Sequence, residues 1–388
     1  MKVTFVVPDL FSPITGIAVR MAKYLEGVHE TEIAGTCLWG QVNSMYDGAF
    51  AYKRVDIPRI YRVPEYFTGV RKLARELTGD VIVAMKAFAP SLPAALRAKR
   101  ERGARVIAYL DEWDGAVAAG WPAAERVRHW ARDWMHPGES LYCPHFERRL
   151  RECDAVLGTT KFLAEKFRGC VYPVGVDTDF WRPQPEAETA RLKQFLGLAG
   201  KRLVVFGGVV RPHKGLEVFA EALASLPGDG VRLVVLGPMN EHVAEMMRHP
   251  GYGRLVVCPA TDRAAAGEIH RKMPLYLSLG DVLAVPLADT PLARSQMPCK
   301  VFEAMAMGKP IVANAVSDLP EVLDGFGCLV PPGDATAAAE AFRRIWDHPE
   351  EAAEMGCRAR ARCVEKFSAN RGRTELLSIL SEVAGRRD

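Results

Sequence analysis

The segment from Pro298 to Asn314, PCKVFEAMAMGKPIVAN, constrains the fold more than any other part of the chain. It combines a helix-forming run at 301–307, Gly308 where a helix would end, and a short apolar strand at 311–313. One carboxylate, Glu303, lies in the first two turns of the helix. The start of a helix beside a parallel sheet favours anions, because its N–H groups and its dipole attract negative charge. A carboxylate there is suited to binding hydroxyl groups, such as those of a ribose. The segment therefore predicts an α/β fold with a polar ligand site at this helix.

Short apolar runs alternate with longer helical patterns along the whole chain. The predicted strands lie at 3–7, 31–38, 81–85, 105–109, 155–159, 170–173, 202–206, 232–236, 254–257, 282–286, 311–313 and 328–330. Strands that alternate with helices of this length predict parallel sheets built from βαβ units. The pattern restarts near residue 200, after a proline- and charge-rich passage at 182–188, which we interpret as the linker between two domains.

Length and composition agree with a globular protein of two domains. The chain has 388 residues, of which 49% are hydrophobic and 25% charged, and its formal charge of +4 does not by itself indicate nucleic-acid binding. The nine cysteines are scattered, without a CxxC pair, as is typical of reduced thiols in the cytoplasm. Apolar runs stay well short of the roughly 20 residues that a membrane span needs. We therefore expect a cytoplasmic protein whose N-terminal MKVTFVV is a first strand.

A glycine-rich loop with two cations follows the predicted strand at 202–206. This loop at 207–215, GGVVRPHKG, contains Gly208, Arg211 and Lys214 and leads directly into a helix. An arginine can bind phosphate through two parallel hydrogen bonds and a lysine supplies a point charge, so the arrangement predicts a diphosphate clamp. A solvated loop is the alternative, and the position between a strand and a helix argues against it.

The loop after the first strand, PDLFSPITG at 8–16, ends in Gly16 at the start of the next helix. It lacks the GxGxxG fingerprint of dinucleotide-binding sites. Gly16 is therefore either part of a tight turn or a point at which the backbone approaches a ligand.

Acidic residues surround a tryptophan after another predicted strand, in YLDEWDG at 109–115. Three interpretations are open for Asp111, Glu112, Trp113 and Asp114. The carboxylates form a metal site, they bind a hydroxylated substrate, or the segment is a capped turn in which the tryptophan packs inward.

The pattern from residue 200 to 335 resembles the retaining glycosyltransferases of the GT-B fold, family 4 type, also described as glycosyl transferases group 1. The resemblance is carried by the Lys-Gly pair at 214–215, by EAMAMGKP starting at Glu303, and by VGVD at 174–177. It is strongest in the second half of the chain and weak before residue 150.

The resemblance implies two facing Rossmann-like domains with parallel sheets and a cleft between them. An acceptor-binding domain would span 1–185, a nucleotide-sugar-binding domain 186–366, and a helix at 367–388 would return to the N-terminal domain. The donor would be a UDP- or GDP-sugar and the acceptor a glycan or lipid-linked glycan of cell-surface polysaccharide assembly. Neither a cofactor nor a metal is implied.

The resemblance also assigns roles to individual residues. Lys214 matches the phosphate-binding lysine of the family, whereas the usual arginine position is Val209 here and Arg211 is a less certain substitute. Glu303 matches the glutamate that binds the ribose. The implied donor-binding residues are Gly16, Gly208, Lys214, Ser295, Gln296, Met297, Pro298, Lys300, Val301 and Glu303; the implied catalytic residues are Lys214, Arg211 and Asp111; and the implied acceptor-side residues are Asp111, Trp113 and Asp114.

Ser295 is a departure from the family pattern, because many members have the first of two glutamates at this position and Glu303 matches the second. A hydroxyl can hydrogen-bond a sugar but carries no charge near neutral pH. Either this chain represents a subgroup that holds the sugar with Ser295, Gln296 and backbone amides up to Met297, or activity has been lost. Two alternatives to a transferase follow from the same fold, a nucleotide-sugar 2-epimerase-like isomerase and a non-catalytic scaffold.

A basic and aromatic stretch at 121–134, WPAAERVRHWARDW, stands out in the first half of the chain. On a helix, Arg126, Arg128 and Arg132 with Trp130 and Trp134 could lie on an anionic membrane surface. The alternative is a solvated charged helix whose tryptophans pack inward. Peripheral contact at the inner face of the membrane is therefore a hypothesis.

Overall fold

The computed structural model describes residues 1–38, 42, 46, 48–57, 59–259 and 266–385. They form two compact units, Met1–Val174 together with the C-terminal segment from Gly372, and Gly175–Arg371. The division falls between 174 and 175, whereas the sequence pattern suggested a boundary at 185. The passage just before the suggested boundary belongs to the second unit because Val176 pairs with Ser368 there.

The first unit is a seven-stranded parallel sheet with helices in its connections. In sheet order its strands are β3 (Tyr52–Val55), β2 (Glu30–Thr36), β1 (Lys2–Val7), β4 (Val81–Met85), β5 (Arg105–Leu110), β6 (Ala155–Gly158) and β7 (Cys170–Val171). Its helices are α1 (Ile14–Tyr24), α2 (Glu65–Glu76), α3 (Ser91–Arg102), α4 (Ala116–Ala119), α5 (Ala123–Asp133), α6 (Cys143–Arg148) and α7 (Lys161–Phe167).

Every strand predicted for this unit is present, and β3 is the strand that the apolar pattern missed. Lys53 and Arg54 occupy its middle. The strand lies at the edge of the sheet, next to β2 alone. An edge strand buries little and commonly carries charged side chains, so it lacks the apolar run by which the central strands were recognised.

The second unit is a six-stranded parallel sheet. In sheet order its strands are β10 (Leu255–Pro259), β9 (Val231–Gly237), β8 (Arg202–Gly207), β11 (Val282–Val285), β12 (Ile311–Asn314) and β13 (Cys328–Val330). Its helices are α8 (Glu186–Phe195), α9 (Leu216–Ala224), α10 (Glu241–Arg248), α11 (Ala266–Ser278), α12 (Pro291–Arg294), α13 (Cys299–Ala306), α14 (Leu319–Leu323), α15 (Ala335–Asp347) and α16 (Pro349–Lys366), and the last helix of the chain is α17 (Ala369–Gly385).

The strand order of the second sheet reverses between β8 and β11. The chain extends the sheet in one direction through β9 and β10 and in the other through β12 and β13. In doubly wound sheets, the loops that leave the carboxyl ends of the strands on either side of such a reversal form a ligand crevice. Here these are the loop at 208–215, after β8, and the segment at 286–298, after β11. The fold therefore places two separately recognised sequence motifs side by side.

Both sheets are covered by apolar cores. Ile82, Ala84 and Leu92 belong to the core of the first unit, and Val205 and Met305 belong to a core of the second. Across the described ranges, no helix is long and apolar enough to span a bilayer.

Candidate functional site

The loop after β8 is held in one shape by its glycines and by a neighbouring asparagine. Gly208 has a φ of 127° and Gly215 a φ of 64°, both in the left-handed region that favours glycine. The side chain of Asn240 donates a hydrogen bond of 2.8 Å to the carbonyl of Val210 while its Oδ1 caps α10. Between these points, Pro212–Lys214 form one turn of 3₁₀ helix. The position of Lys214 is thus set by the backbone.

Lys214 contacts the segment that follows β11. Its Nζ donates a hydrogen bond of 2.7 Å to Oε1 of Gln296, which is 82 residues away in sequence. The backbone of Gly215 lies against Ala288, so closely that a Cβ at Gly215 would be 3.3 Å from the Ala288 nitrogen. Two of the sequence-predicted donor residues, Lys214 and Gln296, therefore meet.

A second lysine points to the same place from α13. Lys300 Nζ lies 3.9 Å from the centroid of the Phe206 ring and 3.0 Å from the position that a Cβ of Gly208 would take. Burial and, to a smaller extent, the nearby Lys214 lower the pKa of Lys300 to about 7, against the opposing charge of Glu303. A side chain at Gly208 would displace the ammonium group of Lys300. The close approach of this lysine therefore explains why the position is a glycine.

The start of α13 adds backbone donors to the two lysines. The helix begins at Cys299, and its N-cap residue, Pro298, makes no side-chain capping hydrogen bond. The side chains of Pro298 and Val301 are buried, and Met297 packs against the core, so any contact from these predicted residues to a ligand would come from the backbone. A helix start next to two ammonium groups is suited to a diphosphate.

Glu303 lies one helical turn after Lys300 on α13 and is half-buried. Residues three apart on a helix share a face, which agrees with the electrostatic effect of Glu303 on the lysine. The site therefore combines two cations with one carboxylate, a set that can bind phosphate and hydroxyl groups of one ligand.

The side chains of Ser295 and Arg211 have contrasting surroundings. Ser295 is 0% exposed, and its Oγ donates a hydrogen bond of 2.7 Å to the carbonyl of Leu292 in the preceding turn. In this arrangement the hydroxyl is satisfied by its own helix, α12. The side chain of Arg211 is exposed on the loop, while its carbonyl accepts a hydrogen bond from the Lys214 N–H.

Gly16 lies within the first turn of α1, at the start of the helix as the sequence pattern predicted. A Cβ at this position would collide with the ring of Tyr46, so the glycine is required for that side chain to pack on the helix. This contact supplies a structural reason for Gly16 within the first unit.

Lys86 is a candidate functional residue that the sequence interpretation missed. Its Nζ lies 3.2 Å from Oδ1 of Asp111, 2.7 Å from Oε1 of Glu112 and 2.8 Å from Oδ1 of Asp114. Its φ of 76° is uncommon for a residue other than glycine. The signal was available, because this lysine directly follows the buried strand β4, as the acidic residues follow the neighbouring β5.

Burial and crowding shift the pKa values of this cluster. Burial raises the pKa of Asp114 to about 6, and burial also raises the pKa of Asp111, against the opposing charge of Lys86. Trp113 is fixed beside them, since its Nε1 donates a hydrogen bond of 2.8 Å to Glu147. Within the described residues no group of side chains is arranged to hold a metal ion. An ammonium group occupies the position among the carboxylates that the metal interpretation required.

Replacing Lys86 with methionine is expected to lower the free energy of unfolding at pH 7 by roughly 3 kcal/mol, because three half-buried carboxylates would lose their counter-ion. The deficit should shrink towards pH 5. A carboxyl group whose pKa is raised in the folded state is protonated, and therefore uncharged, at low pH. It destabilises the folded protein only as the pH rises through that pKa and the group becomes charged. Urea denaturation at both pH values measures the effect.

Lys193→Met is the matched control for this prediction. Its Nζ lies 3.2 Å from a single, partly exposed carboxylate, that of Asp281. Loss of such a pair should cost about 1 kcal/mol or less. Equal losses in the two variants, or a Lys86→Met deficit that does not change with pH, would contradict the described cluster.

Comparison with known proteins identifies relatives of the second unit and of the fold. Residues 200–348 match the family described as glycosyl transferases group 1. The chain is 30% identical over 224 residues to the GDP-mannose-dependent alpha-(1-6)-phosphatidylinositol monomannoside mannosyltransferase of Mycolicibacterium smegmatis, a match that covers 56% of each protein. It is 30% identical over 263 residues to the D-inositol 3-phosphate glycosyltransferase of Xylanimonas cellulosilytica, covering 62% of this chain and 60% of that relative. The matches thus span less than two thirds of the length of these curated relatives.

Among solved structures, the chain resembles Anabaena Alr3699/HepE in complex with UDP and glucose. The TM-score is 0.76, with 16% sequence identity, and the alignment covers 98% of this chain and all of the other. At this identity the likeness establishes the fold, that of the GT-B enzymes, over nearly the whole chain.

Proposed function

Because residues 200–348 are those of the glycosyl transferases group 1 family and the chain has the GT-B fold, we propose that the protein is a glycosyltransferase. It would move a sugar from a nucleoside-diphosphate sugar to a hydroxyl acceptor with retention of configuration. The observation that carries the proposal is the convergence of Lys214 and Lys300 beside the start of α13, with Glu303 on the same helix.

The donor would be bound through its diphosphate and its ribose. The ammonium groups of Lys214 and Lys300 and the first N–H groups of α13 would hold the phosphates, and Arg211 could reach them from the exposed loop. Glu303 would accept hydrogen bonds from the ribose hydroxyls, which a carboxylate does better than an amide or a hydroxyl. The name of the Mycolicibacterium relative specifies GDP-mannose and the Anabaena structure contains UDP, so both nucleotides belong in the test.

Catalysis would rest on the stabilisation of the leaving diphosphate. The bond between the anomeric carbon and the phosphate oxygen breaks, and its electron pair stays on the diphosphate. Fixed cations at this position stabilise the transition state more than the ground state. The acceptor oxygen bonds to the anomeric carbon on the same face, and its proton passes to the departing phosphate. The two lysines neutralise charge that a metal ion neutralises in other enzymes.

The acceptor is proposed to be a glycan or a lipid-linked glycan, used at the inner face of the cytoplasmic membrane. Asp111, Trp113 and Asp114 are the proposed acceptor-side residues, with Asp111 as the catalytic candidate among them. Lys86 would position these carboxylates, since its Nζ contacts both aspartates.

A non-catalytic nucleotide-binding protein is the second candidate. The burial of Ser295 and its bond to Leu292 favour it, because this side chain does not replace the missing glutamate at the sugar. The isomerase is distinguished from both by its chemistry, as it would convert the donor sugar with no acceptor present.

Thermal-shift measurements with UDP, GDP, ADP, CDP and TDP would test the proposal. A nucleotide at about a hundredfold its Kd should add roughly 2.7 kcal/mol of stability. We expect one of these nucleotides to raise the Tm, and the corresponding nucleotide sugar to be consumed only when a hydroxyl acceptor is added. Conversion of the donor alone would identify an isomerase. Binding without turnover would favour the scaffold, and no shift with any nucleotide would refute the site.

A further inference from the structure

One side of α5 presents apolar side chains to solvent. Val127 is 67% exposed, Trp130 63% and Trp134, directly after the helix, 54%. These residues are spaced by three and four positions, so they form one stripe along the helix. A surface helix ordinarily turns such a stripe towards the core. In α5 the stripe faces outward.

Polar contacts order the side chains of α5 that lie beside the stripe. Asp133 is buried and accepts hydrogen bonds from Arg132, at 2.7 Å from its Nε, while Nδ1 of His129 lies 3.0 Å from Oδ2. The His129 ring stacks on Trp121 with the ring centroids 3.7 Å apart.

The end of α5 is tied to distant parts of the unit, because the Tyr142 hydroxyl donates a hydrogen bond to the carbonyl of Trp134 and the Val63 N–H donates one of 2.8 Å to the carbonyl of Met135. With the helix held there, Trp130 and Trp134 face outward.

Positive charge borders the stripe on both sides. Arg126 and Arg128 are exposed and stand one residue before and one residue after Val127, so they project to opposite flanks of it. Nε of Arg126 donates a hydrogen bond of 3.0 Å to the carbonyl of Trp121, which keeps this side chain at the edge of the stripe. The two carboxylates of α5 lie elsewhere, since Asp133 is buried and Glu125 is half-buried.

We propose that this surface, formed by Val127, Trp130, Trp134 and the flanking Arg126 and Arg128, docks on an anionic lipid bilayer. Tryptophan is suited to the boundary between headgroups and acyl chains, because one part of its ring system is apolar and its N–H is polar. Arginines beside it attract anionic headgroups while their stems lie along the apolar region. The helix would lie in the plane of the membrane.

Charge favours a bilayer over a protein as the partner. The outward face combines two large aromatic rings with cations on both flanks, and the carboxylates of the helix are withdrawn from it. This is the composition of helices that lie on anionic membranes. Docking would use residues of the first unit alone. The docking proposal would therefore survive if no sugar transfer were found. The transfer reaction would likewise survive if no membrane binding were found.

Co-sedimentation with vesicles tests the proposal. We expect the full-length protein to bind vesicles that contain phosphatidylglycerol at low ionic strength, to bind phosphatidylcholine vesicles less, and to be released by high salt. The double variant Trp130→Ala/Trp134→Ala should partition at least tenfold more weakly. Arg126→Gln/Arg128→Gln should bind the anionic vesicles roughly tenfold or more weakly and lose most of the salt dependence.

Matched controls are available on α2 of the same unit. Phe67 is 62% exposed there, and Arg71 and Lys72 are exposed as well. Phe67→Ala and Arg71→Gln/Lys72→Gln remove the same kinds of group from another surface and should leave vesicle binding unchanged. Quenching of tryptophan fluorescence by lipids with brominated acyl chains should occur in the wild type and be lost in the double tryptophan variant.

Three results would overturn the proposal. These are absence of binding to anionic vesicles at low salt, equal binding by the wild type and the tryptophan variant, and an equal loss in the α2 controls. If light scattering instead showed a dimer that Trp130→Ala/Trp134→Ala dissociates, with no vesicle binding, the surface would be a protein interface.

Discussion

Replacement of Lys214 with alanine is expected to abolish the thermal stabilisation by a nucleoside diphosphate and to lower the rate of sugar transfer by about a hundredfold or more. The ammonium group is held 2.7 Å from Gln296 on a loop shaped by two left-handed glycines. Hydrogen bonds to charged groups contribute roughly 1.5 to 3 kcal/mol each, and the contribution grows as charge develops on the leaving group. Thermal shift and initial rates at saturating donor measure the two effects.

Lys201→Ala is the control for this prediction. Lys201 precedes β8, at the opposite end of the strand from Lys214, and its Nζ donates a hydrogen bond of 2.8 Å to the carbonyl of Asp229. Removing it deletes the same charge from the same unit without touching the crevice. Nucleotide binding and transfer should remain at the wild-type level. A Lys214→Ala protein that retains full nucleotide stabilisation would show that the diphosphate binds elsewhere.

The affinity for a nucleoside diphosphate is expected to fall as the pH rises above about 7, by up to tenfold per pH unit, and Lys300→Met should remove this dependence. Burial and Lys214 hold the pKa of the unliganded Lys300 at about 7, and a bound anion would raise it. Only the charged form binds phosphate well, so binding takes up a proton. Affinity is therefore highest below pH 7 and is lost as the pH rises through the unliganded pKa towards that of the complex.

Calorimetry in buffers with different heats of ionisation measures both the affinity and the proton uptake. Lys300→Arg should bind with little pH dependence, because arginine stays charged. Lys309→Met is the matched control, since burial also lowers the pKa of Lys309 but this lysine interacts with Asp281 and Lys193 instead. It should keep the wild-type pH dependence. An affinity that is constant between about pH 6 and 9, or a Lys300→Met protein that keeps the slope, would refute the role of Lys300.

The fold was largely predictable because its determinants are local. The central strands are continuous apolar runs, and turns and helices separate them at regular intervals, so the parallel α/β architecture follows from the pattern alone. The edge strand β3 was missed since Lys53 and Arg54 obscure its pattern. The division between the units depends on the pairing of Val176 with Ser368, a contact between distant parts of the chain.

The candidate site was predictable where a motif combines backbone geometry with charge. Gly208, Lys214, Lys300 and Glu303 were identified from sequence, and the structure places both lysines in one crevice at the reversal of strand order. What no pattern revealed is which side chains are satisfied internally. Ser295 bonds to its own helix.

The sequence by itself determined the class of fold, the two loops of the crevice and the types of residue available there, since apolar periodicity, glycines and charges act within a few residues of one another. Only the tertiary structure decided that Lys86 neutralises the acidic cluster, that burial and Lys214 lower the pKa of Lys300, and that the tryptophans of the α5 surface face solvent. The physical reason is that proximity and burial arise when distant segments pack together. Both the pKa of a side chain and the direction in which a helix turns its stripe depend on neighbours that are far away in the chain.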